Sequence, residues 1–135
     1  MPADDNRKLG EQWFHYQDEA KGPLSPDLIA PGYRATINSN PMDETGHTQF
    51  AQAFYAGVPD LKHTIEDIVA TDDQVVVRFS VSGTHTSDLM GIPPTNKQMK
   101  ARAIAILEIS GGKVTELNAV FDQLSVMQQI GAVPS

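Results

Sequence analysis

The spacing of apolar residues changes near residue 60, and this change constrains the fold more than any other feature of the sequence. Before it, apolar residues recur at helical spacing, as do Leu9, Trp13, Phe14 and Tyr16. After it, apolar and polar residues alternate, most clearly in residues 74–85, as expected for strands with one buried face. Helices followed by an antiparallel meander indicate the α+β class, with helices packed on one face of a sheet.

The pattern predicts the order of the elements along the chain. Helices are predicted over 4–20, from 25–29, over 45–56 and over 124–130, and strands over 33–38, 64–71, 74–85, 97–109 and 114–121. The first helix is expected to be capped by Asp4 or Asp5, and the second by Ser25. Short helices cannot cover several long strands laid flat. We therefore expect a strongly curved, mostly antiparallel sheet that wraps around the N-terminal helices as a cone-shaped barrel with an internal cavity.

Length and charge exclude several classes of protein. The 135 residues fit a single domain, 1–135, and nothing marks an internal boundary. The formal net charge of −7 opposes binding to nucleic acid, which needs a basic surface. No apolar run approaches the roughly 20 residues that span a bilayer. The N-terminus is polar and reads as no secretory signal, so we expect no membrane association and a cytoplasmic location.

Metal and cofactor motifs are missing from the sequence. Cysteine is absent, and the four histidines form no pair at i, i+4 spacing and no HExxH motif. The sequence contains no GxGxxG motif, no phosphate-binding loop and no GxSxG elbow. We therefore expect no metal and no organic cofactor.

Three stretches together resemble the SnoaL-like polyketide cyclases, also called the ester cyclase family, of the nuclear transport factor 2-like superfamily. The resemblance covers roughly residues 45–131 and rests on several motifs in the right order. The motifs are VPDL (58–61) with IEDI (65–68), VVVRF (75–79) with GTHTSDLMGIPPTNK (83–97), and GKVTE (112–116) with FD (121–122) and MQQIG (127–131). The chain departs from the family pattern at Ser87, Asn96 and Asn118, where the family usually has glycine, glycine and tryptophan. An asparagine at 118 would make the cavity lining smaller and more polar.

Asp122 is the leading catalytic candidate. It follows Val120 and Phe121 at the end of an apolar strand, where a carboxylate is out of place unless it is paired or functional. We expect it to line the cavity and to be mostly buried, which would raise its pKa from about 3.9 toward neutrality and make it a usable base. In the family the matching aspartate is the general acid/base. The alternative is that Asp122 caps the helix that begins near Leu124.

Two further strand residues are candidates because of the face on which they lie. Asn118, Val120 and Asp122 share one face of a regular strand, so Asn118 is either a pocket amide that holds a carbonyl or a solvent-facing residue. His85 falls on the apolar face of its strand. It is either a second catalytic residue or a structural histidine that bonds the following loop.

The remaining candidates are residues that would contact a substrate. Trp13 and Phe54 lie on the apolar faces of two helices, and His47 begins the helix that carries Phe54, where it caps the helix or faces the cavity mouth. Met90 belongs to the stiff, apolar loop 86–97, which either forms a rim at the cavity or is a packed connection without ligand contact. His63 is interpreted as a solvated residue at a strand edge.

The resemblance implies a cofactor-independent cyclase. A base would take a proton from a carbon flanked by carbonyls, and the enolate would close a ring by intramolecular aldol addition. The substrate would be a small, apolar, polyketide-like carbonyl compound. The alternatives are an isomerase or hydrolase of the same superfamily, or a module that binds a small ligand without turnover.

The predicted strand 97–109 is apolar on both faces. Ala103, Ala105 and Leu107 alternate with Ile104 and Ile106. An exposed apolar sheet face usually marks an interface, so we expect a homodimer.

Overall fold

Helices and strands follow one another along the whole described chain. The structure is a computed structural model that describes residues 2–134. Met1 and Ser135, the ends of the predicted domain 1–135, lie outside the described residues. The elements are α1 (Ala3–Ala20), β1 (Ile29–Ile37), β2 (Asn40–Asp43), α2 (Glu44–Gly57), β3 (Lys62–Ala70), β4 (Gln74–Thr84), β5 (Gln98–Ser110), β6 (Lys113–Phe121) and α3 (Gln123–Gln129).

The strands form one sheet in the order β2-β1-β6-β5-β4-β3. Neighbouring strands are antiparallel, except that β1 and β6 run parallel. The register shifts between Ile65 and Asp67 in β3 and between Glu108 and Ile109 in β5, and such bulges bend strands. Over residues 2–134 the sheet is curved but unclosed, with β2 and β3 at its edges. The expected α+β class, with helices packed against a curved sheet, is confirmed.

Helix α1 lies against the concave face of the sheet, where it contacts β3 and β4. Its buried side includes Leu9, Trp13 and Phe14, spaced as on one face of a helix. Gly10 allows a close approach, because a Cβ atom there would lie 2.8 Å from Cγ1 of Val75 in β4. Helix α1 therefore packs closely against the start of β4.

Strand β5 explains why the concave side retains empty space. Its buried side chains include Ala101, Ala103 and Ala105, which alternate with the exposed Arg102 and Ile104. Alanine fills little of the gap between sheet and helices. The sheet therefore leaves room for a cavity opposite the aromatic side chains of α1 and α2.

The predicted short helix at 25–29 is wrong. The segment forms a turn in which Leu28 N–H donates to the Ser25 carbonyl (3.1 Å), and β1 begins at Ile29. The Leu28 carbonyl accepts from Val114 N–H at 2.7 Å, so pairing with β6 overrides the local helix signal. The short strand β2 was not predicted.

The other predicted helices agree with α1, α2 and α3 to within one or two residues. The predicted cap at Asp4 or Asp5 is wrong, because α1 starts after Pro2 without a side-chain cap. Both aspartates lie in its first turn, where negative charge stabilises a helix. No helix within residues 2–134 has the length and apolar character needed to cross a membrane.

Candidate functional site

A cavity of about 100 Å³ lies between the helices and the concave face of the sheet. Its wall is largely apolar, and the alanines of β5 form part of it. Four polar side chains interrupt the apolar surface: Gln17 from α1, His47 and Tyr55 from α2, and His63 from β3. Chemistry inside the cavity depends on these four groups and on the residues that hold them.

His63 is held by a carboxylate. Its Nδ1 atom lies 2.6 Å from Oδ1 of Asp18, and its backbone N–H donates to Oδ2 of Asp18 at 2.9 Å. The Tyr55 hydroxyl donates to Oδ1 of Asp18 at 2.7 Å. The cluster joins α1, α2 and β3, and the His63 side chain is only 11% exposed. The two bonds from Asp18 fix both the position and the ring orientation of His63.

The electrostatics of this cluster favour a charged carboxylate beside a neutral phenol. Burial raises the pKa of Asp18, but the hydrogen bonds and charge of His63 and the Tyr55 hydroxyl outweigh burial, so the pKa of Asp18 lies below its usual value. Burial, then the hydrogen bond to Asp18 and its charge, raise the pKa of Tyr55 well above its usual range. Tyr55 therefore remains a donor, and Asp18 remains an acceptor.

One ring nitrogen of His63 stays available. Within residues 2–134 its ring bonds only Asp18 and Tyr55, both through Nδ1. His63 lines the cavity and also an open outer pocket beside α1, and Phe14 lines both as well. A carboxylate-bound imidazole with a free Nε2 atom can accept and return a proton.

His47 forms a second polar pair, with Tyr33 of β1. Nδ1 of His47 lies 2.9 Å from the Tyr33 hydroxyl, and both side chains are buried. Burial lowers the pKa of His47 to about 4, so the imidazole is neutral near pH 7. Burial and the charge of Glu44 raise the pKa of Tyr33 well above its usual range. The pair is therefore uncharged and can serve only as a hydrogen-bonding group at neutral pH.

The cavity wall contains four of the residues that the sequence indicated. Trp13, Phe54, His47 and Val120 all lie on it. Val120 is only at the margin, because it lies on the exposed face of β6 and is 59% exposed. Their contact with a substrate stays a prediction.

Asp122 does not lie where we expected it. It is exposed and is not part of the cavity wall. Its carboxylate accepts a hydrogen bond from Ser125 N–H at 3.0 Å and caps α3. The prediction of a mostly buried Asp122 is wrong, because β6 ends at Phe121 and Asp122 is the exposed N-cap residue of α3. The alternative of a helix cap describes its position.

Asn118 also points away from the cavity. It is exposed on the convex face of β6, where it pairs with Ile106 of β5. Asn118 does share a strand face with Val120, as expected, but that face is the outer one, and Asp122 lies beyond the end of β6 as the N-cap residue of α3. The expectation that Asn118 is a pocket amide is therefore wrong, and the solvent-facing alternative holds.

His85 and Met90 belong to the loop after β4 and lie outside the cavity wall. His85 is fully buried, with Nδ1 3.0 Å from Oγ1 of Thr95 and Nε2 3.2 Å from the Ile92 carbonyl. Both nitrogens are thus occupied, as in the alternative of a structural histidine. Met90 is 45% exposed, so the expected contact between Met90 and the cavity is not found.

Sequence reasoning missed Asp18, Gln17, Tyr55 and the position of His63. His63 was interpreted as solvated, yet it shares a strand face in β3 with the partly buried Ile65. Gln17 lies four residues after Trp13 on the buried stripe of α1, and this spacing was the signal that could have revealed it. Within residues 2–134, no three His, Asp or Glu side chains are grouped so that they could hold a metal ion.

Comparisons with known proteins match the chain to a family. A family model described as SnoaL-like polyketide cyclase matches residues 13–130. No curated protein shows significant sequence similarity to the chain.

Among solved structures, AclR from Streptomyces galilaeus, a proposed hydroxylase, is similar at a TM-score of 0.89 and 20% identity, covering 98% of this chain and 99% of AclR. A proposed SnoaL-like polyketide cyclase from Jannaschia sp. CCS1 is similar at 0.82 and 24%, covering 98% and 95%. IdmH from Streptomyces antibioticus, a proposed polyketide cyclase, is similar at 0.72 and 28%, covering 97% and 99%. The first two similarities show the fold alone.

Proposed function

Because the chain belongs to the SnoaL-like polyketide cyclase family, we propose that it is a cyclase-type enzyme that uses acid–base catalysis on a small carbonyl compound. The observation that supports this most directly is the Asp18–His63 pair on the wall of an apolar cavity. We assign His63 as the base and Asp18 as the residue that positions it. Asp122, the base implied by the resemblance, is exposed and serves as a helix cap.

The proposed reaction needs only a proton carrier. Nε2 of His63 takes a proton from a carbon next to a carbonyl group, and the electron pair of the broken C–H bond forms an enolate. The enolate carbon attacks a second carbonyl carbon of the same molecule, so that a C–C bond forms and the C=O π bond becomes an alkoxide. The alkoxide takes the proton back from His63. The product is an isomer of the substrate, and neither a metal nor an organic cofactor takes part.

The size of the cavity limits the substrate. At about 100 Å³ it is well below the roughly 300–1,000 Å³ of typical ligand pockets. An apolar cavity of about 150 Å³ holds benzene. The reacting part of the substrate is therefore small, and we propose a short dicarbonyl compound rather than a multi-ring polyketide.

A test follows from the first half of the reaction. Wild-type protein should accelerate the exchange of α-protons of 2,5-hexanedione in D₂O, measured by NMR, together with its ring closure. His63→Gln should lower both rates by about 10²- to 10⁴-fold, the usual contribution of a general base. Asp18→Asn should lower them less, because the imidazole remains.

Asp122→Asn is the matched control, since asparagine caps a helix about as well as aspartate and lacks the carboxylate function. It should keep the wild-type rates. Loss of activity in Asp122→Asn with normal activity in His63→Gln would refute our assignment of the base and restore the one implied by the resemblance.

A non-catalytic binding module is the second candidate function. Two observations favour it: the small volume of the cavity, and the position of Asp122 outside it. The α-proton exchange experiment in D₂O distinguishes a binding module from an enzyme. A module would bind 2,5-hexanedione, raising the melting temperature by mass action, without accelerating exchange of its α-protons.

We also propose a homodimer that forms through the convex face of the sheet. On that face Ile104 of β5 pairs with Val120 of β6, and the two side chains are 45% and 59% exposed. Adjacent exposed apolar side chains of this kind favour an interface. Sedimentation should give about twice the monomer mass of 14.7 kDa at micromolar concentration, and Ile104→Asp should give the monomer. A monomeric wild-type protein would contradict the proposal.

A further inference from the structure

The neutral His47–Tyr33 pair has no role in the proton transfer assigned to His63, yet His47 lies on the same cavity wall. We propose that His47 binds the carbonyl oxygen of the ligand, with its Nε2–H group as the donor and with Tyr33 as the residue that positions this hydrogen. The site takes a ketone oxygen in the ground state and the enolate oxygen after proton removal. It rests on the proposed function, because it gives the negative charge produced by His63 a hydrogen-bond donor.

The direction of the hydrogen bond between Tyr33 and His47 determines which ring nitrogen of His47 carries the hydrogen. The Tyr33 hydroxyl has His47 as its only hydrogen-bond partner among residues 2–134. If Nδ1 donated to the tyrosine oxygen, the phenol hydrogen would be buried without an acceptor, at a cost of about 1–3 kcal/mol. If the hydroxyl donates to Nδ1, no polar group of the pair is left unpaired at that contact. Nδ1 is then the acceptor, and the single ring hydrogen of the neutral imidazole sits on Nε2.

The Nε2 atom of His47 has no hydrogen-bond partner among residues 2–134, so its surroundings matter. Among residues 2–134, Oδ1 of Asn6 and Nε1 of Trp13 are the only buried side-chain polar atoms that lack both a partner and contact with water-sized space. Nε2 of His47 makes no hydrogen bond, so it must border such space. The residue is 5% exposed and lines the cavity, and we assign the space that Nε2 borders to the cavity. A donor held there has no protein acceptor to lose when a ligand oxygen arrives.

His47 is a neutral donor in an apolar cavity. A neutral donor in apolar surroundings stabilises a developing negative charge more than the same donor does in water. Burial keeps the imidazole of His47 neutral near pH 7. A neutral imidazole donates a hydrogen bond to the ligand oxygen and keeps its proton. His63, bound to a carboxylate, thus acts as the base, and His47, bound to a phenol, acts as the hydrogen-bond donor.

Two measurements test the inference without turnover. Long-range ¹H–¹⁵N NMR of the histidine rings at pH 7 should show the hydrogen of His47 on Nε2 and none on Nδ1. Cyclopentanone, a six-heavy-atom ketone, serves as the probe. Its carbonyl stretch in the infrared should move to lower frequency when it is bound to wild-type protein, and this shift should vanish in His47→Leu.

Affinity for cyclopentanone should fall about two- to tenfold in His47→Leu, the usual effect of losing one hydrogen bond. His47→Gln restores a donor and should recover part of the infrared shift. It also keeps the test open if His47→Leu does not fold. His15→Gln is the matched control, because His15 is 74% exposed and lies outside the cavity wall.

Three outcomes would overturn the inference: a hydrogen on Nδ1 of His47, a carbonyl stretch unchanged between wild type and His47→Leu, or no binding of cyclopentanone up to its solubility limit. Loss of the infrared shift in Gln17→Leu instead would assign the donor to Gln17. The proposed function fails separately. His63→Gln should abolish proton exchange and leave the carbonyl stretch as in wild type.

Discussion

The cavity wall and the loop after β4 each hold a histidine, partly buried in the first and fully buried in the second, and the two rings differ in what surrounds them. His63 lines the cavity, and among residues 2–134 only its Nδ1 atom is hydrogen-bonded, to Asp18 and Tyr55. His85 is bound at both nitrogens, by Thr95 and by the Ile92 carbonyl, and lies away from the cavity. An imidazole with one free nitrogen can transfer protons, whereas one with two occupied nitrogens holds a loop in place.

The difference shows that a recognisable motif and a reactive position need not coincide. His85 belongs to the GTH motif on which the family resemblance rests, and the motif serves here to fix residues 85–97. Asp18 and His63 belong to no motif that we identified. Four predictions test this contrast.

The largest effect is expected at His85. His85→Ala should lower the free energy of unfolding by about 4 kcal/mol, because it empties a fully buried site and leaves Thr95 and the Ile92 carbonyl unpaired. The measurement is urea unfolding at pH 7, with His15→Ala as an exposed control expected within about 0.5 kcal/mol of wild type. A stable His85→Ala variant that has lost α-proton exchange would reverse the contrast and make His85 the catalytic histidine.

The next effect concerns pH and the other cavity histidine, His47. Its pKa is lowered to about 4 in the folded protein, so the unfolded chain binds a proton first as pH falls. Above about pH 6.5, His47 is neutral in both states and does not lower the free energy of unfolding. Between about pH 6.5 and 4, protonation of His47 in the unfolded chain lowers the free energy of unfolding by up to about 3 kcal/mol. His47→Gln should lose less stability over that interval than wild type, as judged by urea unfolding at pH 7 and 4.5. Equal losses in the two proteins would mean that His47 is not buried as a neutral group.

Asp18→Asn should lower stability by about 2 kcal/mol at pH 7, the range for a hydrogen bond to a charged group. The folded pKa of Asp18 lies below its unfolded value, so its contribution is present above about pH 4 and is lost as pH falls through the folded pKa. The difference in free energy of unfolding between wild type and Asp18→Asn should therefore become smaller below pH 4. A gap independent of pH would show that the amide disturbs packing rather than removing a charge.

The smallest effect is expected at Asp122. Asp122→Ala should cost about 1 kcal/mol through loss of the cap of α3, and Asp122→Asn should cost almost nothing. Thermal unfolding of both variants gives the comparison. A destabilised Asp122→Asn would indicate a role for the carboxylate beyond capping.

Patterning along the chain was sufficient to predict most of the fold. The change of period near residue 60 identified α1, α2 and the four long strands, because one buried face leaves a repeat in sequence. The segment 25–29 misled because Ser25-Pro26 is a strong local helix start, and the hydrogen bond from Val114 to the Leu28 carbonyl that prevails over it is remote in sequence. Strand β2, with the sequence NPMD, is too short and too polar to leave a pattern.

The site was less accessible to sequence reasoning because it depends on contacts between distant segments. Asp18 and His63 are 45 positions apart, and each looks solvated in its own element. Their burial arises only when α1 packs against β3. Trp13, Phe54 and His47 were identified as cavity residues because they lie on or beside apolar helix faces, which do leave a local signal.

The parallel pairing of β1 with β6 has a consequence for how the chain assembles. β1 is the first of the described strands in chain order, yet one of its two neighbours, β6 (Lys113–Phe121), is the last of them. A nascent chain in which β6 has not yet been made exposes an unpaired edge on both β1 and β5, and open edges invite pairing with other chains. Pairing so distant in sequence also slows folding. Among residues 2–134, the strand that follows all the others is thus the one that joins β2-β1 to β5-β4-β3.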